Sequence, residues 1–150
     1  MQLLYICFVN FENMTDASTI RPYKMYTAFK ELGWDIYLVA TNQSRANKQK
    51  RQKAITDAIK FINTHKIDFC YIESPTTAIK YSNDYALLKL LAKEKIPTAY
   101  FYRDFYLNFN DVQQKAHNVF EYLHYIYMQY LTNKTNKALK NCDIIYFPSY

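Results

Sequence analysis

The chain has 150 residues, a formal net charge of +6, 50% hydrophobic and 18% aromatic residues, enough for one globular domain and too apolar for a disordered chain. A domain of this length buries roughly 70% of the surface its unfolded form exposes. Gly33 is its one glycine, which excludes the P-loop and the dinucleotide fingerprint, since both need repeated glycines to bring backbone close to phosphate.

Taken in chain order, the pattern switches regularly between strand and helix. The stretch QLLYICFV (2–9) is nearly continuous apolar, as a parallel strand covered on both faces must be. No cationic residue precedes it and no small-residue cleavage site follows, so it reads as a first strand and not a signal peptide. After a polar loop, Met25, Ala28, Phe29 and Leu32 fall at helical spacing, with Pro22 in the first turn and Gly33 set to end the helix. DIYLVA (35–40) is a second strand. RANKQKRQK (45–53) then opens a basic helix whose apolar positions are Ile55, Ala58, Ile59 and Ile62.

IDFCYIE (67–73) is a third strand, NDYALLKLLAKEK (83–95) a helix with Ser82 as its N-cap, and TAYFY (98–102) a fourth strand. Asn110 with Gln113 resembles a capping box opening a long helix through Val112, Ala116, Phe120, Leu123, Tyr127 and Leu131 to about residue 139. CDIIYFPS (142–149) is the fifth strand. The fold class is therefore α/β: a doubly wound, Rossmann-like parallel sheet of about five strands with helices on both faces.

The cysteines Cys7, Cys70 and Cys142 each sit inside an apolar run and read as small buried hydrophobes in a reducing compartment. No apolar run approaches the roughly 20 residues that span a bilayer. For the basic helix two readings stand: a solvated face, or attraction to anionic lipid headgroups or an acidic partner. Nucleic acid is not expected, because no aromatic-basic motif accompanies the charge. His117 and His124 share a helix face but lack a third metal ligand.

In doubly wound sheets ligands bind outside the carboxyl ends of the strands, where the strand order reverses. With order 3-2-1-4-5, the reversal falls between the first and fourth strands. The loops NFENMTDASTIR (10–21) and RDFYLNF (103–109) would then bring Asp16, Arg21, Arg103 and Asp104 to one cleft, with the aromatics Tyr102 and Tyr106 beside them. Flat rings next to fixed polar groups suit a sugar. The tip of the third strand, ESPTT (73–77), reads as turn and capping chemistry, and Glu73 joins the candidate acceptor-binding residues.

On these residues the sequence resembles a known family. The first strand and its loop, RPYKMYTAFKELGWDIYLVA, IDFCYIESP, IPTAYFYRDFY and CDIIYFPS look like the N-terminal, acceptor-binding half of a GT-B glycosyltransferase of the family 4 type. Where that family carries glycines before an arginine, this chain has TDAST before Arg21, and Arg103-Asp104 stands where His-Asp is frequent. The resemblance implies one half of a GT-B fold, cut from a longer protein whose C-terminal nucleotide-sugar-binding domain is absent. It implies transfer of a sugar from a nucleotide-sugar donor to a glycan, glycolipid or protein-linked acceptor, with the isolated fragment inactive.

It further implies Asp104 and Asp16 as catalytic residues, with Arg103, Arg21, Tyr102, Tyr106 and Glu73 binding the acceptor. Neither a cofactor nor a metal is expected. The partners would be the sugar acceptor and the missing domain, and the location the cytoplasm; the charge of the basic helix at 45–53, apart from the resemblance, adds an anionic membrane surface with the protein peripheral to it. A non-catalytic sugar- or partner-binding α/β module is the alternative reading. A response-regulator receiver is excluded, because the third strand ends in Glu73 and the fifth in FPS, with no phosphorylatable Asp or following Lys.

Overall fold

The computed structural model describes residues 1–12, 17–103 and 118–147. Among these, strands and helices alternate: β1 (Gln2–Cys7), α1 (Ala17–Glu31), β2 (Asp35–Ala40), α2 (Lys48–Thr64), β3 (Phe69–Glu73), α3 (Ser82–Lys93), β4 (Thr98–Phe101), α4 (Val119–Leu139) and β5 (Ile144–Tyr146). The strands form one all-parallel sheet in the order β2-β1-β3-β4-β5. The α/β, doubly wound reading of the sequence therefore holds.

Alternation along the central strands sorts the core into two layers. Leu4, Ile6, Cys70, Ile72 and Tyr100 pack with Ile55, Ala58 and Ile62 of α2, Leu87, Leu88 and Leu91 of α3, and Leu139 of α4. Leu3, Tyr5, Cys7, Tyr71 and Ala99 turn to the other face, where Met25, Tyr26 and Phe29 of α1 meet them. Because β1 is covered on both sides it is apolar at every position from Leu3 to Cys7. Full burial of a side chain such as Ile55 contributes about 1.5–3 kcal/mol.

Register is pinned by an aspartate placed one residue before a strand. Asp68 accepts from the Gln2 N–H at 2.9 Å and gives its own N–H to the Gln2 carbonyl at 3.0 Å, tying β3 to β1. Asp143 repeats the device on Thr98, at 2.7 and 2.9 Å, tying β5 to β4. Helix ends are closed locally. Gly33, at φ 78°, follows α1, and the Trp34 N–H returns to the Phe29 carbonyl at 3.1 Å. After α3 the same left-handed position is held by Lys95, at φ 52°, with Ile96 N–H bonding the Leu91 carbonyl at 3.0 Å.

Several expectations are corrected. The strand order is not 3-2-1-4-5: β3 pairs directly with β1, so the reversal lies between β1 and β3 and the loops that meet there follow those two strands. α1 begins at Ala17, which puts Arg21 on the helix instead of in a loop and Pro22 beyond the first turn. Ser82 is the first residue of α3 and Tyr81 occupies the cap position. The basic run is not wholly a solvated face, because Arg51 is 0% exposed.

α4 departs furthest from its expected stripe. Phe120, Leu123 and Tyr127 are exposed, and the buried side is Met128, Leu131, Thr132, Thr135 and Leu139. Its described start is capped by Asn118, whose Oδ1 accepts from the Glu121 N–H at 2.9 Å. The capping box expected at Asn110 and Gln113 lies outside the described residues, as does His117. Cys7 and Cys70 are buried and Cys142 is half-buried, all as free thiols.

Candidate functional site

At the carboxyl end of the sheet, where β1 and β3 diverge, a cleft of about 420 Å³ opens. Phe8, Val9 and Asn10 after β1 form one side, and Ser74, Pro75, Thr76 and Thr77 after β3 the other. Ser18 and Thr19 of α1, Asn42, Gln43 and Ser44 after β2, Lys80 and Arg103 complete it. Amide and hydroxyl groups dominate, the cations are Lys80 and Arg103, and no carboxylate is among the described lining residues.

The walls are held by side-chain bonds to backbone. Asn10 Oδ1 accepts from the Asn42 N–H at 3.0 Å, and Asn42 Oδ1 accepts from Ser44 N–H at 3.1 Å and from Asn47 Nδ2 at 2.9 Å. Gln43, buried, joins the loop after β2 to the loop after β3. Its Nε2 donates to the Ala78 carbonyl at 2.9 Å and to Thr77 Oγ1 at 3.2 Å, while its Oε1 accepts from Lys80 N–H at 3.0 Å. Every polar atom of that amide is used.

Beneath the cleft, Arg51 closes the ends of the first two strands. Its Nη1 donates to the carbonyls of Cys7, at 3.1 Å, and Thr41. Nε and Nη2 both donate to Asp84 Oδ1, at 2.9 and 2.6 Å, and the guanidinium lies 3.6 Å from the centre of the Phe8 ring. Asp84 Oδ2 is buried and has no partner among the described residues. Burial raises the Asp84 carboxyl above its ordinary value, against the opposing pull of Arg51.

The sequence-predicted residues divide between this cleft and a second feature. Arg103 lines the cleft: its N–H bonds Ser74 Oγ at 2.8 Å and its Nη1 reaches the Ser18 carbonyl at 2.9 Å. Arg21 and Glu73 meet each other instead, as an ion pair in which Glu73 is 1% exposed. Tyr71 donates its hydroxyl to Glu73 at 3.0 Å, and the Arg21 guanidinium covers the Phe101 ring at 3.4 Å from its centre. Desolvation raises the Glu73 carboxyl, and Arg21 and Tyr71 oppose that rise.

Arg21 lines a groove of about 390 Å³ beside α1, with Phe69, Tyr71, Phe101 and Phe147. Tyr102 is buried, donates to Asn136 Oδ1 at 3.2 Å and stacks on Phe147. Asp16, Asp104 and Tyr106 lie outside the described residues. Sequence reading missed Asn10, Asn42, Gln43, Thr77 and Lys80. The available signal was polar residues directly after apolar strands, in FVN and VATNQS.

Among the described residues no group of three or more His, Cys, Asp and Glu side chains is gathered to hold a metal ion, and no helix is long and apolar enough to cross a membrane. No family model matches the sequence, and the comparison with curated proteins found no match. Among solved structures the chain is similar to the crystal structure of a conserved protein from Enterococcus faecalis V583, with a TM-score of 0.48 and 15% identity over 98% of this chain and 91% of that chain.

Proposed function

We propose that the chain is the acceptor-binding half of a GT-B-type glycosyltransferase and that the cleft between β1 and β3 receives the acceptor sugar. The observation that carries this reading is the lining. Asn10, Asn42, Ser44, Ser74, Thr76 and Thr77 present amides and hydroxyls, which both donate and accept as sugar hydroxyls do, next to Arg103 and Lys80. The cleft sits at the strand reversal, the usual ligand position in a doubly wound sheet. The absence of repeated glycines argues against this half cradling a diphosphate, so the nucleotide belongs to the second domain.

In the transfer, an acceptor hydroxyl attacks the anomeric carbon as the bond to the nucleotide diphosphate breaks and the diphosphate leaves with the electron pair. The hydroxyl proton passes to a carboxylate in the inverting case. Asp104 and Asp16, the sequence's candidates, adjoin Arg103 and Ala17 in the chain. Arg103 orients the acceptor from the cleft wall, and Arg21 and Glu73 brace α1 against β3 and β4 behind it.

Amide NMR titration of this chain tests the reading, with oligosaccharide and glycopeptide acceptors in one series and uridine diphosphate sugars in the other. Shifts at Asn10, Asn42, Thr77 and Arg103 with an acceptor, and little response to nucleotide, are expected. A clear response to nucleotide alone, or turnover of a nucleotide sugar by these 150 residues, overturns it. In a protein that carries the nucleotide-sugar domain, Asp104→Asn lowers transfer by roughly tenfold or more if that carboxylate is the base.

A further inference from the structure

α4 buries only one side. Met128, Thr135 and Leu139 point inward, while Phe120 is 84% exposed, Leu123 57%, Ile126 46% and Tyr130 60%. At 100° per residue, Leu123, Ile126 and Tyr130 fall on one face together with Lys134 and Lys137 further along the helix, opposite the buried side. Between α3 and the second half of α4 runs a groove of about 690 Å³ with Tyr85, Leu88 and Ala138 in its lining. Its rim is Lys89, Lys134, Lys137 and Lys140, all exposed, and no carboxylate is among the described lining residues.

We propose that the outward face of α4 and the lysine-rimmed groove beside it dock on an anionic phospholipid bilayer. Charge complementarity selects this occupant: four lysines without a carboxylate face an anionic surface, and a second copy would bring the same four against them. Breadth selects it too. With Tyr122 and Tyr127 also exposed, the apolar side chains cover roughly 160° of arc over the first turns, a breadth suited to immersion at the boundary of headgroups and acyl chains. Phenol rings favour that boundary, with the hydroxyl among headgroups and the ring below. The surface is independent of the sugar cleft and of the glycosyltransferase reading.

The test is co-sedimentation of the full chain with phosphatidylcholine vesicles, with and without one third phosphatidylglycerol. Binding to the anionic vesicles should exceed binding to phosphatidylcholine alone by about tenfold or more, since each lysine at such a surface contributes about fivefold. Lys134→Gln with Lys137→Gln and Lys140→Gln should cancel most of that preference. Leu123→Ser with Ile126→Ser should weaken binding about tenfold at unchanged charge, and circular dichroism should find both variants folded. Lys48→Gln with Lys50→Gln and Lys53→Gln on α2 should leave binding within about threefold.

Equal binding to both vesicle types, no binding, or indifference to the Leu123 and Ile126 changes overturns the proposal. So does loss of binding through α2 alone. A dimer on sizing chromatography that Leu123→Ser with Ile126→Ser dissolves assigns the face to a second copy instead.

Discussion

Arg103 donates from Nη1 to the carbonyl of Ser18, 2.9 Å away, and Ser18 stands four residues before Pro22 in α1. A proline has no N–H to return to that carbonyl, so the arginine after β4 takes up an acceptor that α1's own ladder leaves open. Tyr5 adds a second tie to this turn of α1, donating its hydroxyl to the Pro22 carbonyl at 2.7 Å. Arg103→Met should cost about 1 kcal/mol in urea unfolding. Pro22→Ala restores an N–H for Ser18, so in that background the same substitution should cost about half as much. Strictly additive effects would show that the two residues do not share this carbonyl.

The buried pair of Arg51 and Asp84 predicts asymmetric losses. Removing one partner leaves the other charged in a dry site, so Arg51→Met or Asp84→Leu alone should destabilise by about 3–5 kcal/mol. Arg51 also serves the carbonyls of Cys7 and Thr41, which Met leaves unbonded, so its loss should be the larger of the two. The double variant should recover much of the Asp84→Leu loss, because the orphaned charge is gone. Thermal and urea unfolding of all four proteins decide it, and a double variant as unstable as the sum of the singles sinks the account.

Glu73 sets a pH dependence of definite sign. Burial raises its carboxyl above 4.5, so the native state holds the proton more tightly than the unfolded chain does. Its stabilising share is complete below 4.5 and is lost as the pH climbs through the raised native value, at about 1.4 kcal/mol for each unit of difference. Asp84 acts in the same direction from 3.8. Wild-type unfolding free energy minus that of Glu73→Gln should therefore fall as pH rises from the acid side. A difference that rises over this range would mean that Arg21 outweighs desolvation.

Much of the fold was legible because apolar runs in a two-sided sheet carry no ambiguity of face. QLLYIC, DIYLVA and FCYIE each became a strand within one or two residues of the expected ends, and Gly33 ended α1. Strand order was not legible, since β3 is apolar enough to lie beside β1 or further out, and the choice rests on contacts such as Asp68 with Gln2 that join distant segments. Arg51 sat inside a run of exposed cations that composition reads as one face, and only tertiary packing distinguishes it. Apart from Arg103 the cleft's described lining was missed for the same reason: Gln43 and Lys80 matter through a bond across 37 positions. α4 misled because its helical period fits either side, and the polar Thr132 and Thr135 took the inside.

Lys95 holds a left-handed backbone at φ 52°, a conformation that costs a residue with a Cβ about 1–2 kcal/mol. The closure it permits, Ile96 N–H on the Leu91 carbonyl at 3.0 Å, is the one Gly33 permits after α1. Lys95→Gly should raise stability by about 0.5–1 kcal/mol, the strain relieved less the greater freedom of glycine in the unfolded chain. Lys95→Val should lower it. Urea midpoints that move in the opposite order would rule out strain at this position.

Gln43 offers the sharpest separation of cleft from core. Its amide spans the loops after β2 and β3 and touches Thr77, Ala78 and Lys80, while the sheet core lies below. Gln43→Ala leaves the Ala78 carbonyl and the Lys80 N–H without that partner, at about 1–3 kcal/mol. Because the loss falls on the loops after β2 and β3 and not on the strand ladder, amide exchange should accelerate at Thr77 to Lys80 and hardly change in β1 or β3. If the cleft takes the acceptor, affinity for the sugar found by titration should drop about tenfold, since Thr76 and Thr77 lose their fixed geometry before any contact is made. Faster exchange with undiminished sugar binding would move the acceptor off this wall, toward the groove of Arg21 and Phe101.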